Sequence, residues 1–176
     1  MNIATKTAEQ VSGRVMLKFL SIAGLLVLLP FLIHIQWLTG PIVNALLILM
    51  LFLVGKREAF IACFIPSLAA LAGGLLPYVV APYVPLIMIG NLLYVIAIDE
   101  ANTRVKEEAK GYWYGVLAGS LAKFAFLFVS FLAISSLVLK GQLAVFVAQM
   151  MSWAQLYTAL LGGIIAWVIL KWMRRI

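Results

Sequence analysis

One charged residue lies deep within an apolar run: Lys123, inside the stretch from Tyr112 to Leu139. If Tyr112, Trp113 and Tyr114 mark a membrane interface, Lys123 follows Trp113 by ten residues. At helical rise that is about 15 Å of depth, near the middle of a hydrocarbon layer about 30 Å thick. Snorkelling covers only part of that distance. A lysine facing lipid there costs about 2.5–3.5 kcal/mol even on lenient scales. Two kinds of chemistry account for such a group. It can cap a cluster of buried carbonyls, or it can face a sheltered hollow that receives an anionic ligand or a carboxylate. None of the six acidic residues falls within an apolar stretch, so an internal ion pair at this depth is hard to build, and a ligand or backbone partner is expected.

Other polar residues fall within or beside apolar stretches, and one of them, Asn91, could share that level. Asn91 follows Tyr83 by eight residues, about 12 Å at helical rise. It could meet Lys123 or hydrogen-bond between helices. Asn44 comes one turn after Pro41, a favoured first helical residue. It could cap that helix or face a ligand near its positive end. Ser152, Gln155, Ala159 and Gly162 or Gly163 recur every three or four residues, which makes one small, partly polar helix face. The glycines suit close helix packing, and Gln155 is the pocket candidate on that face. Trp37, Tyr78 and Tyr83 border the same end of the chain's apolar runs as lid or wall candidates. His34 and Gln36 sit at the outer end of the first run, where interfacial solvation accounts for them. A lone histidine is a poor metal ligand, so no metal and no cofactor is expected.

Composition fixes the kind of element that must position these groups. The 176 residues are 65% hydrophobic and 11% charged, with a mean hydropathy of +1.13. A soluble domain is about half apolar and about a quarter charged, so the chain is expected to be an integral membrane protein in contact with a lipid bilayer. Six apolar stretches stand out: 19–37, 41–54, 59–76, 83–98, 112–139 and 143–170. They lack the alternation of barrel strands. An all-α bundle of six transmembrane helices in a single membrane domain, 1–176, is expected. The first stretch is too long for the apolar core of a signal peptide and lacks a cleavage site, which marks it as an uncleaved helix. The single cysteine, Cys63, cannot form an internal disulfide.

Orientation follows from the cations. With the N-terminus in the cytoplasm, the inner side carries Lys6, Arg14, Lys18, Lys56, Arg57, Arg104, Lys106, Lys110, Lys171, Arg174 and Arg175, and the outer side carries only Lys140. Eleven against one is a strong positive-inside bias, and it places both termini in the cytoplasm. The net charge of +7 is accounted for in the same way, without a nucleic-acid partner. The inner connections, Gly55 to Glu58 and Asp99 to Lys110, are charged. The outer ones, Gln36 to Pro41 and Pro77 to Pro85, are almost uncharged and rich in rigid or aromatic residues. Three prolines in the nine residues from Pro77 to Pro85 limit backbone freedom, as suits either a small-molecule lid or a tight turn.

No phosphate-binding G-x-x-x-x-G-K-[ST], no H-E-x-x-H and no G-x-S-x-G is present. The chain is therefore not expected to be an enzyme or to hydrolyse ATP by the phosphate-loop route. An intramembrane enzyme using Lys123 as base or nucleophile would need an acid or hydroxyl nearby.

Several segments together resemble the small bacterial S components of energy-coupling factor (ECF) transporters. These are Thr39-Gly40-Pro41-Ile42-Val43-Asn44-Ala45, Pro66, Pro77 to Pro85 leading into Ile89-Gly90-Asn91, Ala122-Lys123-Phe124, and Gln155 to Gly163. The resemblance runs from about Phe19 to Leu170. It implies a substrate-capture subunit of the bacterial plasma membrane that binds a vitamin, precursor or similar small molecule near the outer surface. It further implies docking on a transmembrane coupling subunit with two cytoplasmic ATPases, then toppling in the membrane to release the substrate inside. Asn44, Asn91, Lys123 and Gln155 would supply the polar groups, and Trp37, Tyr78 and Tyr83 the lid or wall. The alternative is a membrane assembly or maturation protein that holds a partner through Arg104, Lys106, Glu107 and Glu108.

Overall fold

The computed structural model describes residues 3–33, 35–74, 78–138, 147–148 and 151–175, with side chains from residue 13 onward except at 36, 78–79 and 135–138. Every regular element among them is helical. In chain order they are α1 (Ile3–Leu32), α2 (Gln36–Leu53), α3 (Lys56–Ala62), α4 (Ile65–Ala72), a 3-10 turn (Tyr78–Tyr83), α5 (Val84–Arg104), α6 (Glu108–Val138) and α7 (Trp153–Trp172). His34 and Lys140 lie outside the described residues, as do the side chains of Gln36 and Tyr78.

Four segments are long and apolar enough to cross a membrane: Gly13–Leu32, Val80–Arg104, Glu108–Ile134 and Trp153–Trp172. Trp37–Leu53 is apolar but shorter. The outer surface supports the same assignment. Leu17, Leu20, Leu28, Leu32, Leu121, Val129, Leu132 and Val168 are all exposed, while Asn44, Asn91, Lys123 and Thr158 are buried. Apolar residues outside and polar ones inside suit a hydrocarbon solvent. The chain thus has the several apolar helices of a multi-pass membrane protein.

Element boundaries differ from the sequence expectation at several places along the chain. The first helix ends at Leu32 instead of Trp37, and the second begins at Gln36 instead of Pro41. The Thr39 hydroxyl donates to the carbonyls of Ile33 at 2.7 Å and Ile35 at 3.1 Å, satisfying acceptors that the chain break exposes. Pro41 therefore lies inside α2. Asn44 stands two turns into that helix, where it caps nothing. The stretch 59–76 is not one helix but two short ones. Pro66 has no N–H to give the carbonyl four residues back, and the chain turns at Cys63 and Phe64 before α4 begins. Finally, the charged segment 99–110 is mostly helical: α5 runs through Arg104 and α6 starts at Glu108.

At this charged end, Lys56 pairs with Asp99 (2.5 Å), Arg104 with Glu100 (2.5 Å) and Lys110 with Glu107 (2.7 Å). Hydrogen bonding and charge from Asp99 raise the Lys56 pKa above the ordinary lysine value. The first pair fastens the start of α3 to the end of α5. Exposed pairs of this kind contribute little to stability, so the weight falls on helix packing.

The α5–α6 hairpin is antiparallel and very close. A Cβ at Gly111 would meet the Asn102 Cα at 3.1 Å, one at Gly115 the Ile98 Cα at 2.6 Å, and one at Gly119 the Tyr94 carbonyl at 2.8 Å. These glycines recur every four residues on one stripe of α6, and the next position on that stripe is Lys123. α2 and α7 approach as closely, because a Cβ at Gly162 would lie 2.5 Å from the Asn44 Cβ. Tyr94 and Tyr112 extend the packing to α7 by donating to the carbonyls of Ala159 (2.7 Å) and Gly163 (2.6 Å).

The glycine stripe makes a direct prediction. Gly115→Ala should lower stability by about 1–3 kcal/mol through overpacking against backbone. Gly24→Ala, where a Cβ would meet nothing within 4 Å, should be neutral or slightly stabilising through helix propensity. Thermal unfolding in detergent checks both. Equal effects would contradict the close α5–α6 contact.

Candidate functional site

Lys123 extends from the α6 stripe into the bundle, and its stem lies over Gly90 of α5. A Cβ at Gly90 would meet the Lys123 Cγ at 3.4 Å and the Leu127 side chain at 3.2 Å. The residue is 2% exposed, and its ammonium lies inside the bundle. It donates to Asn44 Oδ1 on α2 and Asn91 Oδ1 on α5, both at 2.7 Å. Each carboxamide then passes the interaction on to a main-chain carbonyl. Asn44 Nδ2 donates to the Gly40 carbonyl (2.9 Å), with the Thr158 Oγ1 of α7 at 3.5 Å. Asn91 Nδ2 donates to the Cys63 carbonyl (3.2 Å) at the break between α3 and α4.

This chain of bonds fixes the orientation of both amides. Turning either one over would set an NH2 against the ammonium and an oxygen against a carbonyl. The cluster thus ties the α3–α4 break, α5, α6, α2 and α7 together around one cation. The Tyr94 ring stands 5.8 Å from the Lys123 nitrogen, within reach of a cation–π contact.

The electrostatics do not close. Hydrogen bonds to a charged group contribute about 1.5–3 kcal/mol each, whereas withdrawing an ammonium from water still costs several kcal/mol after relaxation. Two amide oxygens therefore offset much of the penalty and neutralise none of the charge. An ammonium carries three donors, and two have an amide acceptor among the described residues. The acids described with side chains, Glu58, Asp99, Glu100, Glu107 and Glu108, all belong to the charged end.

Of the residues singled out in the sequence, Asn44, Asn91 and Lys123 converge. Gln155 is buried on α7, and its carbonyl accepts from Thr158 (3.3 Å), the residue that approaches Asn44. Trp37 is elsewhere: it is exposed and packs on Tyr157 with ring centroids 5.4 Å apart. Tyr83 is enclosed with Val80, Leu127, Phe131, Val147 and Met151 in a second apolar cluster, and its hydroxyl has no hydrogen-bond partner among the described residues. Ser120, one turn before Lys123, is also buried, with no hydrogen-bond partner for its hydroxyl among the described residues. Sequence reasoning missed the roles of Thr158, Gly90 and the Cys63 carbonyl, whereas the close packing expected of Gly162 is seen against Asn44. The spacing Gly111, Gly115, Gly119, Lys123 carries the signal for the lysine's direction, since a side chain following three helix-contact glycines on one stripe faces the same neighbour.

No family model, curated protein or solved structure matches the chain.

The cluster predicts strong non-additivity. Lys123→Met should destabilise the protein by roughly 1–3 kcal/mol for each amide oxygen left unpaired, and Asn91→Leu by a comparable or larger amount through the stranded ammonium. The combined Lys123→Met, Asn44→Leu, Asn91→Leu protein should unfold at a higher temperature than the sum of the single effects implies, because groups in one network couple. Additive shifts in detergent melts would show that the three residues act separately.

Proposed function

We propose that the protein is a substrate-capture subunit of an importer of the energy-coupling-factor type. In this reading it takes up a small nutrient from outside a bacterial cell and passes it to a transmembrane coupling subunit powered by two cytoplasmic ATPases. One observation carries the reading: Lys123 turns away from lipid, into a site where amides from two helices hold it without neutralising it. A lysine serving only as a helix fastener would be cheaper as an apolar residue. An ammonium left one counter-charge short, at about mid-membrane depth, suits a site that awaits an occupant.

The proposed topology has six membrane crossings with both termini inside. Trp37–Leu53 is then a short crossing, and α3 with α4 make one interrupted crossing. Interrupted helices of this kind recur at transporter binding sites, where the break frees backbone groups. The Cys63 carbonyl, bonded to Asn91, stands at such a break. The end bearing Trp37, Tyr83 and Trp153 faces outward, and the basic end faces the cytoplasm and the coupling subunit.

The assembly-protein reading draws less support. Asp99, Glu100 and Glu107 are each paired within the chain, so fewer charges at that end are free to hold a partner.

Native mass spectrometry of the purified protein tests the proposal. The wild type should retain a small-molecule adduct. Lys123→Met should lose most of it while keeping its helical circular-dichroism signal. A folded wild-type protein that carries no small molecule and co-purifies with a stable protein partner would favour the alternative.

A further inference from the structure

The crossing-length segment of α7 ends on Trp172, and burial separates two sides of that helix. Ala159, Ala166 and Leu170 are buried in the bundle, whereas Ile164, Ile165, Val168 and Trp172 are exposed. Steps of three and four residues link the exposed set along one side of the helix. This apolar track ends on Trp172, whose 86% exposure exceeds that of every other large apolar residue described. An indole, apolar with a single N–H, suits the boundary between hydrocarbon and headgroups.

The cations around that tryptophan have no internal counter-charge. Lys56, Arg104 and Lys110 are taken by Asp99, Glu100 and Glu107. Lys171, Arg174 and Arg175 are exposed, and none forms an ion pair among the described residues. The backbone holds the last two close to the helix end. The Arg175 N–H donates to the Leu170 carbonyl (2.9 Å) and the Arg174 N–H to the Lys171 carbonyl (3.0 Å). This is the Schellman ending, in which the residue after the cap is left-handed and commonly glycine. Here it is Arg174, at φ 53°, a conformation that costs a residue with a Cβ more than it costs glycine. Glycine would end the helix more cheaply and without charge. Lys171 already complements the negative end of the helix from its last turn, so the two arginines beyond it exceed that need.

We infer that the end of α7 holds an anionic phospholipid of the leaflet that meets the charged end of the bundle. Lys171, Arg174 and Arg175 take the headgroup phosphate, Trp172 stands at the level of the glycerol, and the acyl chains run along Val168, Ile165 and Ile164. Both ends of such a ligand are matched. Arginine offers paired N–H donors to phosphate oxygens, and hydrocarbon chains cover an apolar track that a soluble anion would leave bare. A zwitterionic lipid would cover the track too, but would bring its own cation among the three already there. Binding at this surface is independent of what Lys123 holds.

The test is a native mass-spectrometric titration of the full chain in detergent with phosphatidylglycerol or phosphatidylcholine of identical acyl chains. Each lysine or arginine near an anionic surface adds about fivefold to affinity, so the wild type should prefer phosphatidylglycerol by about tenfold or more. The triple variant Lys171→Gln, Arg174→Gln, Arg175→Gln should lose that preference. Removing the same charge elsewhere on exposed residues, as Arg14→Gln, Arg57→Gln, Lys106→Gln, should weaken binding by less than about threefold, since charges beyond a Debye length are screened. Trp172→Leu should bind several-fold more weakly. Arg174→Gly separates binding from structure: glycine eases the left-handed turn, so this variant should melt no lower than wild type, yet hold phosphatidylglycerol about fivefold less tightly. Equal losses in the two triple variants overturn the inference, because they show diffuse charge attraction without a site. So does Arg174→Gly protein with wild-type affinity, or wild-type protein that does not distinguish the two lipids.

Discussion

The structure depends on keeping one ammonium hydrogen-bonded in a medium that cannot solvate it. Water would offer Lys123 three acceptors and a high dielectric, and hydrocarbon offers neither. The bundle substitutes two amide oxygens, each held by a second bond to a main-chain carbonyl. Those carbonyls come from different places, Gly40 near the start of α2 and Cys63 at the break before α4. Displacing either segment would therefore loosen the cation as well. In this way one side chain makes the positions of five helical segments interdependent.

Close packing is the means by which that geometry is reached. Lys123 can point at Asn44 and Asn91 only if α5 and α6 nearly touch, and the glycines at 111, 115 and 119 permit it. Gly90 makes room for the lysine stem, and Gly162 lets α7 press against the backbone that carries Asn44. With no hydrophobic driving force between helices in lipid, such close contacts and interhelical hydrogen bonds supply the association energy. The tyrosine bonds to the Ala159 and Gly163 carbonyls continue the same packing toward the charged end.

How far the sequence foretells this differs from residue to residue. The helical, membrane-type character follows from composition, and the need of Lys123 for a sheltered polar partner from its place in an apolar run. Both depend only on one-dimensional information. A shared level with Lys123 was legible for Asn91, but the contact of Asn44 and Asn91 with Lys123 was not, since rotation about each helix axis is set by packing partners far away in sequence. Helix ends were less legible. The Thr39 hydroxyl's bonds to Ile33 and Ile35 are tertiary details that move a boundary by several residues, and Pro66, visible in the sequence, was not read as dividing the stretch 59–76. Trp37 is a lid or wall candidate by position alone, and its exposed ring packs at a tilt against Tyr157, as interfacial aromatics commonly do.

The choice of asparagine over aspartate at positions 44 and 91 bears on what such a cluster can do. An aspartate at either site would form an ion pair with Lys123, and the site would be neutral and closed at rest. Carboxamides match the ammonium in geometry, and their NH2 groups anchor them to carbonyls that a carboxylate would repel. They supply no counter-charge of their own. On the capture reading proposed above, an occupant would supply it: full internal neutralisation would remove the gain on binding, and an unsupported ammonium would not remain in the bundle.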